Sequence, residues 1–306
     1  MFKQRHLRYF VTAAQLGQIT LAAEKLGIAQ GAVSQAVARL ESDLGFEVLE
    51  RHGRGVTLTP AGEVFLPKAQ AALVAEEEAS LMAESLARIS HGRIALGYSG
   101  LPPASSSPDL IEAFTQACPG VELNPQELPF PSVPTASWLR EVDAAISSQP
   151  PPDPNVSFQT LRAEPRVALV PRSHPLAGRR ELTVAEVLDE TFLGFHPSID
   201  PAWAGFWSLD DHRGGPAPHI VGETADAQQR FAMLAAGRGI GTAPAYAAAM
   251  VKVLPSIVAI PLTDADPAII TLVARKDRQH SLVEQLFTLA GQISPHLAGG
   301  PAEPSA

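Results

Sequence analysis

Cysteine is almost absent: the chain has one, Cys118, among 306 residues. A single thiol closes no intramolecular disulfide, and no Cys/His cluster has the spacing of metal ligands, so neither a disulfide framework nor a zinc site is expected. Cys118 reads instead as a residue that packs a helix. Long apolar runs are missing too. No stretch approaches the roughly 18 to 20 residues of a membrane-crossing helix. The opening MFKQRHLRYF carries basic and polar residues where a secretory signal would place an apolar core. A cytoplasmic protein with no membrane partner is the expectation. Catalytic signatures are also lacking. There is no G-x-S-x-G elbow, no phosphate-binding loop and no HExxH, and GRGIG lacks the strand-then-helix setting of a dinucleotide fingerprint. No enzymatic activity and no cofactor are expected.

What is present is a large apolar fraction, 45% against 18% charged, over a length that supports more than one domain. The net charge of -9 argues against nucleic acid until its distribution is read. Residues 1–62 carry seven Lys and Arg against five acids, a net of +2, and the remaining 16 bases and 27 acids give -11. A small head that tolerates phosphate therefore sits on an acidic body.

The head has three helical periods. Leu7, Phe10, Val11 and Ala14 share a face of the first, from about Lys3 to Leu16, which Gly17 ends. Thr20 is placed as N-cap of the second, with Leu21, Ala22 and Leu26 inward and Ala23 permitting a close crossing. Gly27 makes the turn and Ile28 plugs the corner. The third buries Val33, Val37, Leu40 and Leu44 and exposes Gln30, Gly31, Ser34, Gln35 and Ala38. A helix kept only for stability would show Glu and Lys outside. Small and amide-bearing side chains instead suit approach to base edges in a major groove.

The following segment, ERHGRGVTLTPAGE, places Arg51, His52 and Arg54 around two glycines in a short hairpin. Thr59 then caps, and Pro60 opens, another helix. A basic hairpin beside such a helix is a wing, suited to phosphate or minor-groove contact. The residues from LRYFVTAAQLGQITLAAEKLG through TLTPAGE resemble the LysR-type transcriptional regulators, and weaker matches continue in VDAAIS, LVPRSHPLA and AAGRGIGTAPAY. Ala29 stands where that family usually has a Ser or Thr cap and Gly31 where it often has Pro. Each departure weakens the start of the third helix by up to about 1 kcal/mol. The DNA-binding set is Thr20, Gln30, Gly31, Ser34, Gln35 and Arg39, with Arg51 and Arg54 on the wing; the partner is double-stranded operator DNA.

TPAGEVFLPKAQAALVAEEEASLMAESLARI reads as one long helix with Leu66, Ala69, Leu73, Leu81 and Leu86 in a stripe and Pro67 well inside. The resemblance implies that this is the linker helix through which two subunits pair, giving a homodimer and, by further assembly, a homotetramer. Beyond His91 short strands and helices alternate, as in α/β sheets built from crossover units.

The expected fold is α+β overall: a winged helix-turn-helix (1–58), a linker helix (59–90), an α/β effector-binding domain (91–296) and a disordered tail (297–306). The resemblance implies two subdomains in the third part, 91–162 with 267–296 and 163–266, with a small-molecule co-inducer between them as in periplasmic binding proteins. A plain solute-binding protein has a similar sheet but not the winged head.

Strand-end loops nominate the effector contacts, because open α/β sheets present backbone N–H groups there. These are Ser99, Gly100, Ser147, His196, Ser198 and Thr224, with Phe130 as an apolar wall; His196 has the alternative of a turn residue beside Pro197. Phe195, Trp203, Phe206 and Trp207 divide between the core and a flat, partly apolar ligand. Relatives that bind aromatic carboxylates often have an arginine just after the strand matching DAAIS. Here SSQPPPDP follows, and no carboxylate clamp is evident.

Overall fold

The computed structural model describes residues 2–294 except Arg54, Leu101, Pro218 and residues 103–105, together with the backbone alone of Met250. The expected tail, 297–306, lies outside the described residues. The chain divides into two compact units, one reaching Ala83 and the other starting at Glu84.

In the first unit, α1 (Gln4–Leu16), α2 (Ile19–Leu26) and α3 (Gln30–Leu44) precede a hairpin of β1 (Leu49–His52) and β2 (Gly55–Leu58), and α4 (Pro60–Ser90) begins there. Phe10, Ala22, Val33, Leu40 and Val48 are wholly buried and form its core. Gly27 sits at φ +67° between α2 and α3, a left-handed conformation open to glycine at little cost, and Ile28 packs against the core from the same turn.

Two details of α2 differ from the expectation. The helix starts at Ile19 with Gln18 as N-cap, so Thr20 is an exposed residue of the first turn and not the cap. Leu21 is also exposed, at 41%, because the helix is phased by Ile19, Ala22 and Ala23, three buried residues at i, i+3 and i+4. Ala29, with no side chain to bond, leaves α3 without a side-chain cap.

Thr59 fixes the start of α4 twice. Its Oγ1 donates to the Glu47 carbonyl at 2.7 Å and accepts the Gly62 N–H at 2.9 Å. From α3, Glu41 Oε1 accepts the N–H groups of Val48 and Leu49 at 3.0 and 3.2 Å, tying that helix to the wing. The linker helix is continuous over 31 residues, Pro67 included. Its stripe divides differently from the sequence reading: Ala69 is buried, and Leu66 and Leu73 pack on the core of the first unit. The large apolar side chains that α4 leaves exposed are Val64, Val74 and Leu86.

The described residues of the second unit form three sheets, of five, three and two strands. The largest has the order β4 (Glu122–Glu127), β3 (Arg93–Tyr98), β5 (Ala144–Ser148), β12 (Ala268–Arg275) and β6 (Val156–Glu164). β3 is parallel to β4 and β5, whereas β12 runs antiparallel to β5 and β6. Helices Pro108–Ala117 and Ser281–Ile293 pack on it around Phe114 and Leu286, and Cys118 lies partly buried at that core. The smaller two have β7 (Arg166–Pro171) between β10 (Gly241–Pro244) and β11 (Ile257–Pro261), and β8 (Phe192–Phe195) parallel to β9 (Ile220–Thr224). β6 continues to Glu164, so the chain leaves the first sheet at Pro165 and returns between β11 and β12.

Candidate functional site

Helix α3 presents Gln30, Gly31, Gln35, Ala38 and Arg39 to solvent, with Ser34 half-buried among them. Arg39 Nε lies 3.6 Å from the mostly buried Asp43 carboxylate one turn on. On the wing Arg51 is exposed, and His52 Nε2 is 2.6 Å from Thr57 Oγ1 across the hairpin. Arg54 lies outside the described residues. The face therefore offers amides, a hydroxyl and small residues on the helix, with cations on the helix and the wing.

At the far end of α4 a buried carboxylate collects three donors. Asp143 accepts from Ser85 Oγ, from Arg88 Nη2 at 3.3 Å and from the Ala95 N–H at 2.7 Å. Its side chain is fully buried, while Arg88 keeps partial access to water. This anchor joins the last turns of α4 to β3 and to the entry of β5, and nothing in the local sequence pattern marks it.

The second unit also contains an apolar cavity with an open mouth. Phe130, Phe195, Trp203 and Trp207 form one wall, Leu169 and Ala243 belong to another, and Ser99 and Gly100 line it at the end of β3. The aromatic rings pack in a chain: Phe130 is 5.0 Å from Trp203 and 5.6 Å from Phe195, and Trp203 is 5.9 Å from Trp207. Trp203 is held by its Nε1–H, which donates to the Ser148 carbonyl at 2.8 Å.

The expected effector residues fall into two groups. Ser99, Gly100 and Phe130 line the cavity. Ser147 does not: it is buried behind Ser99, their hydroxyls 3.1 Å apart, and Ser148 takes its place on the wall because successive strand residues point to opposite faces. His196 and Ser198 are exposed and bond each other at 2.8 Å in the turn after β8, so the turn reading of His196 is the one the structure supports. Thr224 is wholly buried and donates to the Gly194 carbonyl at 2.8 Å; it stands behind the lining as a support.

The sequence reading passed over Arg230. It lies on the helix Ala227–Ala235, on the buried face with Ala227 and Leu234, and it lines the cavity. Its Nη1 donates to the Leu193 carbonyl and to Thr224 Oγ1, each at 3.3 Å, and its Cζ sits 4.1 Å from the centre of the Phe195 ring. Burial pushes its pKa down to about 9, so it remains a cation at neutral pH. Arg166, also buried, differs: its Nε and Nη1 each reach a carbonyl oxygen at 2.7 Å. The available signal was an arginine at i+3 between two apolar positions of an amphipathic helix. Among the described residues no group of His, Cys, Asp and Glu is arranged to hold a metal ion.

Residues 4–63 match the model of bacterial regulatory helix-turn-helix proteins of the lysR family, and residues 87–292 match the LysR substrate binding domain. The chain belongs to the LysR family. It is 29% identical over 294 residues to BenM of Acinetobacter baylyi, covering 94% of this chain and 95% of BenM. To TfdS of Cupriavidus pinatubonensis it is 30% identical over 246 residues, 80% and 83% of the two chains. The crystal structure of full-length BenM superposes with a TM-score of 0.52 at 26% identity, covering 99% of this chain and all of that one. This LysR-family member is thus a transcriptional regulator with an N-terminal DNA-binding domain and an effector-binding domain, and not an enzyme. No helix among its described residues is long and apolar enough to cross a membrane.

Proposed function

We propose that this regulator reads its operator with the exposed first turns of α3, uses Arg39 and the wing cations Arg51 and Arg54 for the backbone, and responds to a small molecule in the aromatic cavity. The observation that carries the reading is the α3 surface: Gln30, Gly31, Ser34 and Gln35 leave a face without acidic residues at the start of a helix whose opposite side is fully committed to the core. Thr20, exposed in the first turn of α2, is placed to meet phosphate. Ser99, Gly100 and Phe130 contact the effector, and Ser147 and Thr224 position its walls. The protein acts in the cytoplasm, where its operator is.

A bidentate amide-to-base contact contributes about 1 to 3 kcal/mol at a single base pair, whereas loss of a phosphate contact weakens all sequences and lowers the salt slope by about one unit. Gln35→Ala is therefore expected to relax preference at one position of each half-site with little change in salt dependence, and Arg51→Ala to flatten the salt dependence with preference kept. Selection from randomised operators at two salt concentrations reads both effects. Identical base preferences for the parent and Gln35→Ala would remove α3 as the reader.

The exposed Val64, Val74 and Leu86 on α4 support self-association through this helix into a homodimer and then a homotetramer. Val74→Glu is expected to lower the sedimenting mass and operator affinity together, since it does not touch the core that Leu73 helps to form. An unchanged oligomer would refute this role for the helix.

A further inference from the structure

The polar groups of the cavity have their capacity spent in an uneven way. Ser99 Oγ is engaged with Ser147, Tyr246 Oη lies 3.2 Å from Ser148 Oγ, and Thr242 Oγ1 donates to the Trp207 carbonyl at 2.6 Å. Three nitrogen donors beside them have no acceptor among the described residues. Arg230 Nε and Nη2 and Trp207 Nε1 are shut off from solvent and have no hydrogen-bond partner among the described residues. Arg230 makes no ion pair among those residues and is the only charged side chain among those described as lining the cavity. Space for its guanidinium comes from β10, where a side chain on Gly241 would collide with Nη2.

A buried cation without a counter-ion is costly, and a buried donor without an acceptor costs as well. The Nε–H and an Nη2–H of a guanidinium lie on one edge, at the spacing of the two oxygens of a carboxylate. Apart from the hydroxyls of Ser99, Ser148, Thr242 and Tyr246, the lining is mainly aromatic and aliphatic. On the reading that the effector occupies this cavity, we infer that it is a small apolar acid, one ring bearing one carboxylate, whose oxygens take the unused edge of Arg230 while its ring lies among Phe130, Phe195 and Trp203. A neutral amide of the same shape leaves the charge unpaired. The acid is therefore selected over its amide by this residue, at a position remote from the segment after β5 where the sequence has no arginine.

The test is titration of the full-length protein, by calorimetry and thermal shift, with phenylacetate and cyclohexanecarboxylate, each beside its primary amide. The parent is expected to bind the acids about thirtyfold or more tightly than the amides, the consequence of removing one partner from a buried charge pair. Arg230→Gln is expected to erase that difference, and Arg230→Lys, which keeps the charge without the fork, to retain a preference for the acids at reduced affinity. Ala243→Phe, which fills the cavity, is expected to abolish binding of both classes. Equal binding of acids and amides by the parent, or an acid preference that survives in Arg230→Gln, overturns the proposal. So does failure of both acids to bind the parent. Acid binding that persists in Ala243→Phe overturns the cavity reading itself and the proposal with it, whereas equal acid and amide binding that disappears in Ala243→Phe leaves the cavity reading standing.

Discussion

Asp143→Ala is expected to lower the stability of the effector-binding unit by about 3 kcal/mol, a shift of roughly 6 to 12 °C in the melting transition of a unit this size. Three groups lose their acceptor at once: the Ser85 hydroxyl, the Arg88 guanidinium and the Ala95 N–H. The Ala95 amide is the most costly of these, since it is buried at the centre of β3 and has no water to turn to. Arg88 retains partial access to solvent, so its share is discounted. Asp143→Asn keeps an acceptor for the amide and is expected to lose about half as much. Because Ser85 and Arg88 belong to the helix that starts at the wing, a loosened anchor is also expected to weaken the response of operator binding to effector. Calorimetry of the full-length protein measures the first effect and operator titration with and without ligand the second. A melting temperature within one or two degrees of the parent would show that the carboxylate is dispensable.

Gly62→Ala is expected to unseat the wing and abolish operator binding. A Cβ at this position would press into the carbonyl oxygen of Val48 and meet the side chain of Leu58. The first obstacle is fixed: Val48 is wholly buried, and its carbonyl accepts the Thr59 N–H at 3.2 Å. Overpacking against backbone costs about 3 kcal/mol or more, because no side-chain rotation relieves it. Gly291→Ala, on the helix Ser281–Ile293, is the control. Nothing lies within 4 Å of a Cβ there, and the exchange within a helix is expected to add up to about 1 kcal/mol. Hydrogen exchange of the β1 and β2 amides, together with a gel shift, distinguishes the two variants. Retained wing protection in Gly62→Ala would rule out the steric account.

The Thr-Pro-x-Gly pattern at Thr59 to Gly62 shows what the sequence determined by itself. Its cap, its helix start and the chain reversal before it are local events, encoded in residues three or four apart, and the same holds for the Gly27 turn and the periodicity of α1 and α3. The family, the order of its parts and the exposed face of α3 follow from signals of that range.

Tertiary packing decided which apolar face meets which partner. Leu21 is exposed because Ile19 phases α2, and Leu66 and Leu73 turn toward the core of their own unit, leaving Val64 and Val74 outside. The cavity was beyond local reading for the same reason. Its walls come from Gly100, Phe130, Ser148, Trp203, Arg230 and Tyr246, segments brought together only when the sheets form. Arg230 in sequence is one arginine in an amphipathic helix. That no counter-ion faces it among the described residues is a property of everything packed around it, and only the folded chain brings those groups together.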